Sequence, residues 1–143
     1  LSLRSVVPVT DNDGTHLGSL EFMQGLNSVA KEFNKDNDGF ILLMDKRVSS
    51  VKTFKANKIF KTNYVISQKF INNKFLSDAQ NINIVELLKN KEYKTNKYLY
   101  TYIDVKDFRG TKLGIAIVGS PLEKVDMAVD NAEKIINVAL VII

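Results

Sequence analysis

One turn sequence occurs twice in this chain, 96 residues apart. "TDNDGTHLG" begins at Thr10 and "KDFRGTKLG" begins at Lys106, and alternating apolar residues flank each of them. The identities in this register are Val9 with Val105, Asp11 with Asp107, Gly14 with Gly110, Thr15 with Thr111, Leu17 with Leu113, Gly18 with Gly114, Leu26 with Leu122, and Val29 with Val125. A polar segment ending in Gly between two alternating runs is typical of a β-hairpin, because Gly adopts positive φ. The repeat therefore predicts two hairpins of one design.

Between the hairpins, the pattern changes from a helix to a strand and then to short amphipathic pieces. The apolar residues of "GLNSVAKEF" have helical spacing and predict a helix that begins at Asn27 or Ser28. "FILLMDKR" has the length and composition of a buried strand. Further on, "VKTFKANKIFK", "YVISQKFI" and "NINIVELLKN" are separated by Asn-rich breaks. These pieces predict two or three short helices over one face of a sheet.

The second hairpin begins in the clearest alternation of the chain. "KYLYTYIDV" has Tyr98, Tyr100 and Tyr102 on one side of a strand. "KLGIAIVG" is the return strand, and Pro121 then predicts the start of a final helix, a position where Pro is favoured. The order is hairpin, helix, strand, short helices, hairpin and helix. It predicts an α+β fold built on an antiparallel sheet.

Composition excludes several classes of site. The chain has no Cys, which removes disulfides, zinc-thiolate sites and Cys nucleophiles, and it has one His, His16, which sits in a polar turn. A catalytic triad based on His and a metal site with several His ligands are therefore impossible within this sequence. Asp11, Asp13 and Asp107 fall in turns, where Asp is favoured for backbone hydrogen bonding. We expect no catalytic residues, no metal and no cofactor.

The positive charge is concentrated in the middle of the chain. The protein has a net charge of +4, but residues 46–97 carry twelve Lys and Arg against three acids. Such a segment could contact nucleic acid, anionic lipid or a small anion, or it could be a set of solvated helix faces. The lysines are irregularly spaced, so no single basic face is indicated.

The last nine residues, "IINVALVII", are apolar except for Asn137. A bilayer span takes about 20 residues, so nine are too few. The segment is either the end of a helix that packs in the core or the beginning of a transmembrane helix. An amphipathic helix that becomes wholly apolar favours the second interpretation.

Three segments of this sequence resemble the Cache domains, the extracytoplasmic PAS-like sensor modules of bacterial chemoreceptors and membrane-bound histidine kinases. "LRSVVPVTDNDGTHLGSLEFMQGLNSVAKEF" is similar to the hairpin of chemoreceptor Cache modules, "FILLMDKR" to the strand that opens a PAS-like sheet, and "YLYTYIDVKDFRGTKLGIAIVG" to its closing hairpin. The resemblance implies a Cache antiparallel sheet with short helices over one face and a C-terminal exit helix. Residues 1–134 would form the sensing domain, and residues 135–143 would lead into a transmembrane segment.

The resemblance also implies a function: the periplasmic sensor domain of a methyl-accepting chemotaxis protein in the inner membrane. It implies a homodimer and a small ligand, either a short carboxylate such as acetate, lactate or pyruvate or an amino acid. Arg4 corresponds to Tyr100 in the 96-residue register, and its planar guanidinium suits a carboxylate. We expect Tyr64 and Lys69 to complete the site from a short helix. The candidate ligand-binding residues are Arg4, Tyr64, Lys69, Tyr98, Tyr100 and Tyr102.

Other functions remain open from sequence. The same module could belong to a histidine kinase, or it could be a cytoplasmic PAS-like interaction module. A basic nucleic-acid-binding module is less favoured, because the lysines are loosely spaced and the C-terminus is apolar. We expect no nucleic-acid partner and no enzymatic activity, since no nucleophile elbow, phosphate loop or zinc motif is present.

Overall fold

A computed structural model describes residues 2–48 and 59–141, which contain eight strands and four helices. The strands are β1 (Ser2–Thr10), β2 (His16–Gly25), β3 (Gly39–Asp45), β4 (Ile59–Phe60), β5 (Tyr64–Ile66), β6 (Glu92–Lys94), β7 (Tyr98–Lys106) and β8 (Lys112–Pro121). The helices are α1 (Leu26–Lys35), α2 (Asn73–Ala79), α3 (Ile84–Asn90) and α4 (Leu122–Val141). Six strands form one sheet in the order β4-β5-β3-β8-β7-β6, and β1 and β2 form a sheet of their own. All strand pairs are antiparallel, so the expected α+β class is confirmed.

The two copies of the repeated sequence form the same turn. The Asp11 carboxylate accepts the N–H of Thr15 at 2.9 Å, and the Asp107 carboxylate accepts the N–H of Thr111 at 2.8 Å. The glycine three positions after each Asp has positive φ, 88° in the first turn and 84° in the second. The strand register shifts at corresponding positions of both hairpins. The prediction of two hairpins of one design is confirmed, and the Asp and Gly residues form the turn.

The six-stranded sheet is covered on both faces. One face packs against α2 and α3, and this core contains Ile41, Leu43, Phe60, Ile66, Phe75, Ala79, Ile82, Leu87, Tyr98, Tyr100, Ile115 and Ile117. The other face packs against α1 through a smaller core, which contains Leu26, Ala30, Phe40, Leu42 and Ala116. β3 contributes to both cores, which explains its continuous apolar run. The prediction of a buried strand in "FILLMDKR" is confirmed.

The prediction for the middle of the chain is correct only in part. α3 lies within "NINIVELLKN", but "YVISQKFI" forms β5 and an irregular segment and not a helix. Val65 and Ile66 pair with β3 and are both buried, and β-branched residues are favoured in such strands. Within "VKTFKANKIFK", β4 occupies Ile59–Phe60, and residues 51–58 lie outside the described residues.

Two of the Asn residues in this part of the chain are helix caps. The Asn72 side chain accepts the backbone N–H groups of Lys74 and Phe75 at the start of α2. The Asn83 side chain caps α3 in the same way. Such caps satisfy N–H groups that the first helical turn leaves unpaired.

Pro121 is the last residue of β8, and α4 begins directly after it. Leu122 and Val125 are half-buried, whereas the described side chains from Asp126 to Asn137 are exposed. The part of α4 whose side chains are described therefore does not pack in the core after its first turn. Among the described residues, no helix combines the length and the apolar character that a membrane span requires.

The β1–β2 hairpin lies outside the large sheet, and apolar side chains are exposed on both of its faces. The exposed residues are Val6, Val7, Val9, Leu17, Leu20, Phe22 and Met23. The two hairpins thus share a turn but not an environment, because β8 pairs with β3 and β7 pairs with β6.

Candidate ligand-binding site

The three tyrosines of β7 lie on the face of the sheet that α2 and α3 cover. The Tyr100 hydroxyl donates to Asp78 Oδ2 at 2.7 Å, and the Tyr102 hydroxyl donates to the Leu88 carbonyl at 3.1 Å. Burial, together with the hydrogen bond to Asp78, raises the pKa of Tyr100 far above its usual value, so this hydroxyl stays a neutral donor. Tyr100 and Tyr102 therefore connect the sheet to the helices above it.

The space between the sheet and α2 is filled by the ring of Phe75. Gly39 and Gly119 are paired in register across β3 and β8, directly beneath this ring. A Cβ atom on Gly39 would lie 2.1 Å from Phe75 Cγ, and one on Gly119 would lie 2.3 Å from Phe75 Cε2. The ring also stacks on Tyr100 with centroids 5.2 Å apart. Phe75 thus occupies the centre of the covered face.

A small hydrogen-bond network fixes the loop between β6 and β7. Thr95 Oγ1 donates to Asp78 Oδ2 at 2.7 Å and accepts the backbone N–H groups of Lys97 and Tyr98. Asp78 therefore binds the loop and the sheet to α2 at one point. This network holds Lys97 and Tyr98 beside the helix.

An open cleft of about 650 Å³ lies where Tyr98 reaches the edge of this core. Its walls are α2, the β6–β7 loop and the end of β8, and its lining residues are Asn73, Lys74, Ser77, Lys97, Tyr98 and Pro121. Within the described part of the chain, neither lysine is in an ion pair and the Tyr98 hydroxyl makes no hydrogen bond. Burial and the nearby Asp78 charge raise the pKa of Tyr98. The cleft therefore offers two ammonium groups and neutral hydroxyl donors, which are groups that bind an anion.

The cleft is directly connected to the C-terminal helix. The backbone N–H of Leu122, the first residue of α4, donates to the Lys97 carbonyl at 2.9 Å. A second contact lies beyond the cleft, where Lys124 Nζ is 2.8 Å from Asp38 Oδ2. The hydrogen bond to Asp38 raises the pKa of Lys124. One residue of the cleft wall and the start of α4 are thus hydrogen-bonded to each other.

Of the residues expected to bind ligand, the structure brings together the three tyrosines but not the others. Arg4 lies on the separate β1–β2 hairpin, where its exposed guanidinium forms an ion pair with Glu21 of the neighbouring strand. Tyr64 lies on β5, which is separated from β7 by β3 and β8 in the strand order. Lys69 is exposed in the segment between β5 and α2, and its backbone N–H donates to the Asn27 side chain. The expectation that Tyr64 and Lys69 share a short helix is wrong.

Sequence reasoning missed Lys74, Ser77 and Lys97. The signal for the first two is present in "NNKFLSDA", where a capping Asn precedes apolar residues at helical spacing. Nothing in the sequence shows that Lys97 lies next to this helix, because the contact depends on how the β6–β7 loop folds back. Lys97 and Lys74 are 23 positions apart.

The comparisons with known proteins identify no relative: no family model, no curated protein and no solved structure matches this chain. In the described ranges, 2–48 and 59–141, no group of three or more His, Asp or Glu side chains is placed to hold a metal ion.

Proposed function

We propose that this chain is a Cache-type sensor domain of a transmembrane chemoreceptor, which binds a short carboxylate in the cleft between Lys74 and Lys97. The antiparallel sheet with two short helices over one face is compatible with such a module. The proposal places the domain outside the cytoplasm, as part of an inner-membrane protein that signals through α4, and expects it to act as a homodimer.

The observation that carries the proposal is the hydrogen bond from Leu122 N–H to the Lys97 carbonyl. A ligand that draws the Lys97 side chain towards it acts on a loop that is bonded to the first residue of α4. A ligand can shift the position of α4 only if it binds two positions of the helix with different affinity. A cleft whose wall includes Lys97 and Pro121 adjoins the start of α4, whereas the centre of the core is filled by Phe75.

The chemistry of the cleft favours an anion with a small apolar part. A carboxylate that leaves water needs charged or hydrogen-bonding partners to offset its desolvation. Lys74 and Lys97 supply charge, and Ser77 and Tyr98 supply hydroxyl groups. The Tyr98 ring and Pro121 supply the apolar surface. Acetate, lactate and pyruvate match this set of groups.

Isothermal titration calorimetry with acetate, lactate, pyruvate and a panel of amino acids tests the proposal. We expect at least one carboxylate to bind, and we expect Lys97→Met to weaken its affinity at least tenfold, which is about 1.4 kcal/mol. This variant keeps the backbone carbonyl that Leu122 contacts. Lys89→Met, on an exposed position of α3 outside the cleft, is the matched control.

Two outcomes would contradict the proposal. One is that none of the carboxylates or amino acids binds the wild-type protein at millimolar concentration. The other is that Lys97→Met and Lys89→Met bind a carboxylate as well as the wild type does, which would place the ligand elsewhere. In the NMR spectrum, carboxylate binding should also shift the Leu122 amide resonance.

A further inference from the structure

The C-terminal helix is attached to the sheet by two polar contacts in its first turn. Leu122 N–H donates to the Lys97 carbonyl, and Lys124 forms an ion pair with Asp38 in the corner between α1 and β3. The first contact belongs to the wall of the cleft, and the second does not. The described side chains after Val125 are exposed, so the helix is held by its junction with β8, by the half-buried Leu122 and Val125, and by these two polar contacts.

Asp38 differs from an ordinary surface acid. Its side chain is 15% exposed, and its Oδ1 atom is buried without a hydrogen-bond partner among the described residues. Lys124 is the cation that pairs with it in the same part of the structure. If Lys124 moves away with α4, a mostly buried carboxylate loses this partner, and such a loss is unfavourable. Lys124 is itself 53% exposed, so the resistance of this ion pair to displacement of the helix comes from the mostly buried carboxylate of Asp38.

The position of Asp38 also connects it to the helix that lines the cleft. Asp38 directly precedes Gly39, the first residue of β3, and Gly39 lies beneath the ring of Phe75 on α2. Lys74, which precedes Phe75, lines the cleft. The acid that holds α4 and the helix that would contact the ligand are thus fixed against the same end of β3.

We propose that the Asp38–Lys124 ion pair is a latch that holds α4 in its ligand-free position, and that anion binding at Lys97 acts against it. The inference rests on the proposed function, since it concerns the regulation of that site. A ligand that favours a displaced α4 must break the ion pair, so the free energy of breaking it lowers the apparent affinity for the ligand. By linkage, removing the latch raises the affinity for the ligand although neither residue lines the cleft.

The test uses Asp38→Asn, which removes the negative charge of the ion pair, and Lys124→Met, which removes the positive charge. Asp104→Asn is the matched control, because Asp104 pairs with Lys112 at 2.5 Å on the β7–β8 hairpin, away from α4. The first measurement is hydrogen exchange of the Leu122 amide without ligand, and the second is calorimetric titration with the carboxylate that binds the wild type. We expect both latch variants to exchange Leu122 faster and to bind the carboxylate about fivefold more tightly. The control should match the wild type in both.

The outcomes separate the latch from the proposed function. Unchanged Leu122 exchange in both variants overturns the latch, whatever the titrations show. Faster exchange with unchanged or weaker affinity overturns its coupling to the ligand. Faster exchange, with no carboxylate bound by the wild type or by either variant, supports the latch as an attachment of α4 and overturns the proposed function.

Discussion

Gly18 and Gly114 occupy the same position of the repeated hairpin, and we predict different responses to the same substitution. Neither residue has positive φ, so Ala is compatible with both backbones. A Cβ atom on Gly18 would have nothing within 4 Å. A Cβ atom on Gly114 would lie 2.1 Å from the Leu43 carbonyl oxygen and 2.9 Å from Met44 Cα.

The magnitude follows from what the new methyl group would contact. At Gly114 the obstacle is the backbone of β3, which cannot rotate away as a side chain can, so the strands must separate within the core. Overpacking costs about 1–3 kcal/mol, and we expect Gly114→Ala to reach about 3 kcal/mol. Gly18→Ala meets open space and restricts the unfolded chain, so it should change stability by about 0.5 kcal/mol or less, in the stabilising direction.

Urea unfolding followed by circular dichroism measures both effects. With a denaturant slope of about 2 kcal/mol per molar urea, Gly114→Ala should lower the midpoint by about 1.5 M. Gly18→Ala should leave it within about 0.3 M of the wild type. Similar midpoints for the two variants would refute the close approach of β3 to Gly114.

Three further substitutions test other contacts. Replacing Gln68 with Leu leaves two buried backbone groups of β3 without partners, and we expect urea unfolding to show a loss of about 3 kcal/mol; a loss below about 1 kcal/mol would contradict this role. Tyr100→Phe removes the hydrogen bond to Asp78 and should cost about 1 kcal/mol in the same assay, whereas an unchanged midpoint would count against that bond. The Arg47 hydrogen bond lowers the pKa of Asp45, so the pair stabilises the protein above the unfolded-state pKa, and this contribution is lost as pH falls through the lower folded-state pKa. Arg47→Met should therefore be less stable than the wild type in urea unfolding at pH 6, and this difference should shrink as the pH falls through the lowered pKa of Asp45; a difference that stays constant with pH would argue against the ion pair.

Local patterns in the sequence predict the elements that depend on local chemistry. The Asp and Gly residues of both turns predict the hairpins because their hydrogen bonds and positive φ are set within a few residues. The apolar run of β3 and the alternation of β7 also predict strands, because the spacing of apolar residues is a local pattern as well. β5 was missed because its three residues are too few to show an alternating pattern, and the side chain of Gln68 then continues the pairing with β3 in place of its backbone. No periodicity marks such a strand end.

The residues of the candidate site show the same limit, because their local patterns can be predicted from the sequence and their long-range contacts cannot. Arg4 and Tyr100 occupy equivalent positions of their hairpins. Arg4 pairs with Met23, and Tyr100 pairs with Gly119. Both members of the second pair lie 96 residues after those of the first. The repeat predicts this local equivalence. It does not predict that the two hairpins belong to different sheets, because sheet membership is decided by long-range pairing. Lys97 was missed for a related reason, since its position beside α2 depends on the Thr95 and Asp78 network.

The attachment of α4 through its first turn gives the helix the geometry of a lever. Its 20 residues span about 30 Å at 1.5 Å per residue. A tilt of about 5° at the Leu122 end would therefore move the Val141 end by about 2.6 Å. A displacement at Lys97 or Lys124 can thus be too small to disturb the sheet and still become larger along the helix. The distance that the far end moves depends on the length of α4.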